Sequence, residues 1–188
     1  RSRIFFLVRY KNEKEFWDQI KALSPDAPIP LLFICSGNIC RSPYMELRFK
    51  DLLQKSAKIK NKDRFIITSG GFVTQRDLAK GHPFTLKALI ERGVPENMVN
   101  AFESRHLRRH KEEMERAIAL ITPSEKTNPL VPNKHQEKIV FLSDISLGYR
   151  KETEDPVQIQ DYLEYKKHMD ELEEMLVALI EKFENIGI

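Results

Sequence analysis

The sequence predicts a three-layer α/β domain in which parallel strands alternate with helices. Four short apolar segments have strand character, and longer segments with a helical spacing of apolar residues lie between them. This alternation is typical of parallel strands joined by crossover helices. The 188 residues suffice for one well-buried domain, and an apolar fraction of 41% is ordinary for a globular chain.

The first half of this pattern begins with PLLFIC (30–35), a continuously apolar strand that ends at a glycine-containing loop. A helix is predicted to follow from Pro43, because proline suits the first turn of a helix. The second predicted strand, RFIITS (64–69), is rich in β-branched residues and stops at Gly70 and Gly71.

The second half adds two helices, two strands and a long terminal helix. Helices are predicted over 83–93, which ends at a glycine, and over 110–117. The third and fourth strands are predicted over 117–122 and 138–143. The last element has an apolar stripe at helical spacing with acidic residues opposite, formed by Ile159, Leu163, Met169, Leu172, Leu176, Ile180 and Phe183.

The first 29 residues precede this pattern. They contain a possible strand (4–10), a helix for which Asn12 is a suitable cap, and a proline-rich linker (24–30). We therefore predict an N-terminal extension over 1–29 and a main domain over 30–188.

Composition and net charge limit the classes of partner that this protein is expected to bind. The net charge is only +3, from 31 basic and 28 acidic side chains, so bulk charge gives no case for nucleic-acid or membrane binding. Apolar runs such as Ile4 to Val8 are too short for a membrane span or signal peptide. Two cysteines cannot build a disulfide framework. We therefore expect a cytoplasmic protein.

Both cysteines fall in the loop that follows the first strand. In α/β sheets such a strand–loop–helix junction favours an anion, because loop amides and the helix terminus point positive charge at it. Arg41 adds a planar fork that matches two phosphate oxygens. A thiol at Cys35, facing that fork, would lose its proton readily and become a nucleophile. The loop therefore predicts nucleophilic chemistry on a bound anion.

The contiguous motif CSGNICRSP resembles the phosphate-binding loop of the low-molecular-weight protein tyrosine phosphatases, C-x-G-N-x-C-R-S-P directly after the first strand. The resemblance covers roughly residues 30 to 185 and implies a flavodoxin-like fold with a four-stranded parallel sheet. It implies that 30–188 is the catalytic domain, with Cys35 as nucleophile and Arg41 as phosphate clamp.

The resemblance also assigns the rest of the loop. Asn38 and Ser42 would hold its shape by hydrogen bonding, and Ser42 would help the thiolate leave. Ser69, after the second strand, would support the loop. The substrate's phosphoryl oxygens would be bound at the backbone amides of the loop, within a binding set that comprises Ser36, Gly37, Asn38, Ile39, Cys40 and Ser42.

A general acid must protonate the departing oxygen. In this family an Asp-Pro pair before the final helix supplies it, and Asp155-Pro156 occupies that place; Asp144 ranks second. The implied reaction passes through a cysteinyl-phosphate that water then hydrolyses. We expect no cofactor and no metal, because the spaced pair His106 and His110 lies among arginines.

The expected substrate is a phosphorylated protein or a small aryl phosphate, with phosphotyrosine as first choice. Ile39 favours that choice over the bacterial arginine-phosphatase branch, where a threonine commonly stands. Two features depart from a tyrosine pocket, since Val157 and Gln158 replace the usual tyrosines and the loop after the second strand offers only Phe72.

Two alternatives and one open role accompany this prediction. Arsenate reductases share the fold but need further cysteines, and none follows Cys40. A non-catalytic phosphate-binding module would be signalled by loss of Cys35, Arg41 or Asp155, and all three are present. Cys40 is either a small packing side chain or, as the resemblance suggests, a thiol that traps oxidised Cys35 as a disulfide.

Overall fold

The computed structural model, which describes residues 9–73 and 76–188, has one four-stranded sheet with helices packed on it. All neighbouring strands are parallel, in the order β2-β1-β3-β4. This confirms the predicted α/β class. The strands are β1 Ile29–Ile34, β2 Phe65–Gly70, β3 Ala119–Thr122 and β4 Ile139–Phe141. Most of the possible strand predicted over 4–10 lies outside the described residues.

Seven α-helices are present in the described residues, together with short 3-10 turns. The helices are α1 Glu13–Lys21, α2 Arg41–Lys55, α3 Pro83–Glu91, α4 Glu96–Asn100, α5 Lys111–Arg116, α6 Leu142–Leu147 and α7 Tyr162–Asn185. The 3-10 turns are Lys62–Arg64, Arg76–Leu78, Glu125–Leu130 and Asn133–Lys138.

Local sequence explains several helix ends. The side chain of Asn12 accepts a hydrogen bond from the backbone of Glu15, whose carboxylate reaches back, so α1 begins with the predicted capping box. The helix α3 begins at Pro83, and beyond its end Gly93 has a φ of 76°, a left-handed conformation that glycine adopts without strain.

The hydrophobic core has two parts, one on each face of the sheet. The larger part packs α2 and α7 on one face, where the rings of Phe49, Phe65 and Phe183 meet edge-on or tilted. The helix α1 joins this core, since the indole of Trp17 packs on Phe183 and donates to a backbone carbonyl of α6. The smaller part lies under α5 on the other face.

Two predicted boundaries were wrong. The predicted strand 138–143 ends early, at Phe141, and Leu142 already begins α6. A continuous apolar run does not distinguish a buried strand from a buried helix turn. In α7 the helix begins after Ile159, and Leu163 is 72% exposed. The buried face instead consists of Tyr165, Met169, Leu172, Met175, Leu176, Leu179, Ile180 and Phe183.

The topology defines one crevice. The chain leaves β1 toward β2 on one side and returns to β3 on the other, so β1 and β3 form the point at which the strand order reverses. Ligands of open α/β sheets bind beyond the carboxyl ends of strands at this point. The loop between β1 and α2 lies there.

Candidate active site

The loop of residues 35–40, called the cradle below, follows β1 and leads directly into α2. It begins with Cys35, whose backbone amide donates to the carbonyl of Gly70 over 3.3 Å. Cys35 is only 2% exposed. Its sulfur lies 3.0 Å from Ser42 Oγ and accepts a hydrogen bond from the Asn38 amide over 3.3 Å. Two polar groups therefore face the predicted nucleophile.

Asn38 is at the centre of the cradle. Its φ of 54° places it in the left-handed region, which asparagine tolerates better than most residues. Its side-chain Nδ2 donates to Ser42 Oγ and to Ser69 Oγ, both over 2.8 Å. Its Oδ1 accepts from the backbone amide of Arg105 over 2.7 Å. These bonds hold a backbone conformation that would otherwise be unfavourable.

Neighbouring loops fix the cradle backbone from outside. The amides of Phe72 and Val73 both donate to the carbonyl of Ser36, over 2.8 and 2.9 Å. Between them and β2, Gly71 approaches so closely that a Cβ there would lie 2.6 Å from the Asn38 nitrogen. On the other side, the amide of His82 donates to the carbonyl of Ile39 over 2.8 Å.

The cradle keeps several donors available. The backbone amides of Ser36, Gly37, Ile39 and Cys40 have no hydrogen-bond acceptor among the residues that the structure describes. Such a set of amides beside a helix start is a suitable binding site for the oxygens of an anion.

Arg41 and Asp155 come together although 114 residues separate them. The guanidinium of Arg41, whose side chain is 2% exposed, donates from Nη2 to Asp155 Oδ2 over 2.7 Å. Its Nη1 donates to the carbonyl of Thr153 over 3.2 Å. The Asp155 carboxylate is 36% exposed and also accepts from the Val157 amide. This carboxylate is thus both paired and accessible at the mouth of the site.

Two other carboxylates that follow β4 in the chain, those of Asp144 and Glu152, contact residues away from the pocket. Asp144, ranked second from the sequence, lies in α6 and pairs with Arg150. Glu152 accepts from the hydroxyl of Ser124 and does not line the pocket.

The pocket itself is small and has aliphatic walls. Its volume is about 80 Å³, and its lining consists of Cys35, Ser36, Gly37, Ile39, Cys40, Val73, Asp155 and Val157. Phe72, the one aromatic residue that the sequence offered as a wall, is buried in the smaller core beside Leu107 instead. Val73 takes its place and is 45% exposed.

Cys40 differs from Cys35 although both are free thiols. Burial raises the pKa of Cys40 to about 12, and the nearby hydroxyl of Tyr165 offsets this only in part. Tyr165 is fully buried, and its hydroxyl lies 2.7 Å from the Thr85 hydroxyl.

Sequence reasoning missed Glu46. This glutamate is 2% exposed and accepts from the Ser69 hydroxyl over 2.5 Å. Its signal was its position, because it lies four residues after Ser42 on α2, one turn further along the same helix face. The hydrogen-bonded residues of the site therefore extend along α2, one helical turn beyond Ser42.

Across residues 9–73 and 76–188, no group of three or more histidine, cysteine, aspartate or glutamate side chains is arranged to hold a metal ion. No helix in this part of the chain combines the length and the apolar character needed to cross a bilayer.

Comparisons with known proteins agree with this geometry. The protein-arginine-phosphatase of Bacillus subtilis is 26% identical over 152 residues, which cover 79% of this chain and 93% of that protein. An arginine phosphatase structure from Geobacillus stearothermophilus superposes with a TM-score of 0.67 at 21% identity, covering 84% of this chain and 94% of that one.

A low molecular weight protein tyrosine phosphatase from Bacillus subtilis superposes with a TM-score of 0.65 at 24% identity, covering 82% of this chain and 97% of that one. At these identities the structures support the fold alone. The family described as low molecular weight phosphotyrosine protein phosphatase matches residues 30–186. The chain therefore belongs to this family and is a cysteine-dependent phosphatase.

Proposed function

We propose that this phosphatase hydrolyses phosphotyrosine on proteins, with Cys35 as nucleophile, Arg41 as phosphate clamp and Asp155 as general acid. The observation that carries the proposal is that Cys35 and Asp155 line one small pocket, and that Arg41 contacts Asp155 over 2.7 Å. The cradle amides that have no acceptor among the described residues support the same assignment, since they can bind the oxygens around phosphorus.

The reaction has two displacements. The Cys35 thiolate attacks phosphorus in line, the bond to the departing oxygen breaks, and Asp155 gives that oxygen its proton. Water then attacks the cysteinyl-phosphate, Asp155 takes a proton from the water, and the sulfur–phosphorus bond breaks to release inorganic phosphate. Arg41 turns its fork from Asp155 to the phosphate when the substrate enters, which frees the carboxyl group for proton transfer.

The walls of the pocket favour an aryl ester. Ile39, Val73 and Val157 present only aliphatic surface above the cradle. A phenol ring gains by burial against such surface, whereas a phosphorylated guanidinium would have Asp155 as an acceptor and would set its other N–H groups against the aliphatic side chains.

Phosphoarginine is the second candidate, because a relative 26% identical to this chain is named a protein-arginine-phosphatase. The two candidates make opposite demands on position 39. A hydroxyl there would add an acceptor for a guanidinium and remove aliphatic surface from a phenol ring.

The test is a set of peptides of one sequence that carry phosphotyrosine, phosphoserine or phosphoarginine, assayed with wild type and Ile39→Thr in the presence of a metal chelator. We expect the highest kcat/KM for phosphotyrosine, and a shift of several-fold toward phosphoarginine in Ile39→Thr. Faster hydrolysis of phosphoarginine by wild type would overturn the substrate assignment. Undiminished turnover by Cys35→Ser would overturn the assignment of the nucleophile.

A further inference from the structure

An open, largely apolar groove lies on the face of the sheet that carries α5. It is called the β2 groove below and has a volume of about 410 Å³. Most of its lining consists of Pro28, Pro30, Leu32, Ile66, Thr68 and Ala117. We propose that the β2 groove is a docking site for residues 3–8 of this chain, which lie outside the described residues. This docking goes beyond the reaction at the cradle and does not depend on it.

The β2 groove is open because α5 covers only part of this face. The helix has six residues, and Met114 is its buried side chain. On the β2 side of α5, Ile66 stands opposite Pro30 in the register of the two strands and is 51% exposed. A large apolar side chain in such a groove is stabilised by a partner that removes it from water.

One charged group of the groove requires a donor. Glu113 lines the β2 groove from α5, and its Oε2 is buried without a hydrogen-bond partner among the described residues. Arg116, three residues further along α5, also lines the groove but is exposed and does not bond this oxygen. A buried carboxylate oxygen is unfavourable until a donor reaches it. The groove therefore favours an apolar occupant that carries a cation.

The chain has a segment of this composition directly before Arg9, the first described residue. Residues 4–8, IFFLV, are five consecutive apolar residues, and Arg1 and Arg3 precede them. Apolar side chains suit the lining of the groove, and the guanidinium of Arg3 supplies donors for the Glu113 carboxylate. The segment thus complements the groove in both apolar character and charge.

The segment is also long enough to enter the β2 groove. Arg9, Arg116 and Ala117 line one open cavity, and the last two also line the groove, so the end of α5 separates Arg9 from it. Six extended residues span up to roughly 20 Å, which exceeds the ~10–12 Å diameter of a helix. Glu113 lies about one turn before Ala117 on α5. A segment that enters at Ala117 with its apolar residues therefore reaches Glu113 with Arg3.

The first experiment locates the segment by disulfide cross-linking in the full chain, with both native cysteines replaced by serine. Phe5→Cys and, in a separate protein, Phe6→Cys are each combined with Ile66→Cys. Ile90→Cys replaces Ile66→Cys in the matched control, because Ile90 is 41% exposed on α3, whose buried residues belong to the larger core on the opposite face. For the faster of the two segment positions, we expect the intrachain disulfide with residue 66 to form at least ~10-fold faster than that with residue 90, because docking raises the effective concentration of the thiols.

The second experiment keeps the native cysteines and measures, by mass spectrometry, how fast chymotrypsin cleaves the full chain after Phe5 and Phe6. A docked segment is protected, so the rate follows the undocked fraction. We expect Arg3→Glu and Glu113→Lys each to raise the rate roughly fivefold, the effect of a partly exposed ion pair. The double variant Arg3→Glu/Glu113→Lys should return close to the wild-type rate. Glu112→Lys changes a neighbouring carboxylate that does not line the groove and should leave the rate unchanged.

Four results would overturn the inference. They are equal cross-linking at residues 66 and 90, cross-links between two chains, which would make a second copy the occupant, unchanged cleavage in Glu113→Lys, and no recovery in Arg3→Glu/Glu113→Lys. Should the cysteine variants not fold, the cleavage rates decide alone. Both measurements require no substrate, so neither outcome depends on whether phosphotyrosine is the substrate.

Discussion

Cys35 and Cys40 lie five residues apart in one loop, are equally buried at 2% exposure, and have opposite surroundings. The sulfur of Cys35 faces the Ser42 hydroxyl and the Asn38 amide. Cys40 lies in the apolar core, where burial, with a smaller contribution from the neighbouring Cys35, raises its pKa to about 12.

We infer that the reactivity of a thiol in this loop depends on the groups that surround it and not on how much of it is exposed. Hydrogen-bond donors favour the charged form of a group, and an apolar environment favours the neutral form. The first position suits a nucleophile, and the second suits a thiol that stays protonated. Each prediction below alters one side of this contrast.

The largest effect is expected when each of the two cysteines is replaced by serine in a separate variant. Cys35→Ser should lower kcat for an aryl phosphate by at least ~10⁴-fold, because the nucleophile is lost and residual catalysis by the cradle is small. Cys40→Ser should keep kcat within about fivefold, since that side chain contacts core residues and takes no part in bond making. Steady-state assays with circular dichroism as a folding check make the comparison. Similar losses in both variants would contradict it.

The next effect concerns Asp155, the proposed proton donor, which the distant loop brings to the pocket that Cys35 lines. Asp155→Asn should lower kcat roughly 100- to 1,000-fold for a phenyl phosphate, whose leaving oxygen needs a proton. With a nitrophenyl phosphate the loss should be smaller, because that leaving group departs as an anion. Asp144→Asn is the matched control and should behave like wild type. A loss independent of the leaving group would argue against a general-acid role.

A moderate effect is expected when Cys35 is oxidised. If Cys40 captures oxidised Cys35 as a disulfide, wild type inactivated by peroxide should regain most of its activity with dithiothreitol. Cys40→Ser should regain several-fold less, because its Cys35 proceeds to irreversible oxidation states. Activity recovery is followed together with intact mass, which identifies the disulfide by a loss of two hydrogens. Equal recovery in the two proteins would leave Cys40 with a packing role only.

Part of the fold and part of the candidate site could be predicted from the sequence alone. The alternation of strands and helices predicted the sheet, and the contiguous motif around Cys35 placed the cradle, because both depend on local chain geometry. Asp155 was found through family resemblance, since nothing local connects it to Arg41. The contact of Glu46 with Ser69, and the place of Val73 rather than Phe72 at the pocket wall, depend on how distant segments pack, which local patterns do not encode.

The smallest effect concerns stability at alkaline pH. An unfolded cysteine has a pKa of about 8.5, and burial raises that of Cys40 to about 12 in the folded chain. Below pH 8 the thiol is neutral in both states and costs nothing. Between these pKa values only the unfolded state releases the proton, so the free energy of unfolding falls as pH rises.

Cys40→Ser removes this proton. Between pH 8 and 10 its free energy of unfolding in urea should therefore fall less than that of wild type, by about 1–2 kcal/mol. Between pH 6 and 8 the difference between the two proteins should stay constant, which serves as the internal control. A difference that is also constant up to pH 10 would mean that the folded protein accommodates a Cys40 thiolate, and the two sulfurs would then be less distinct than their surroundings indicate.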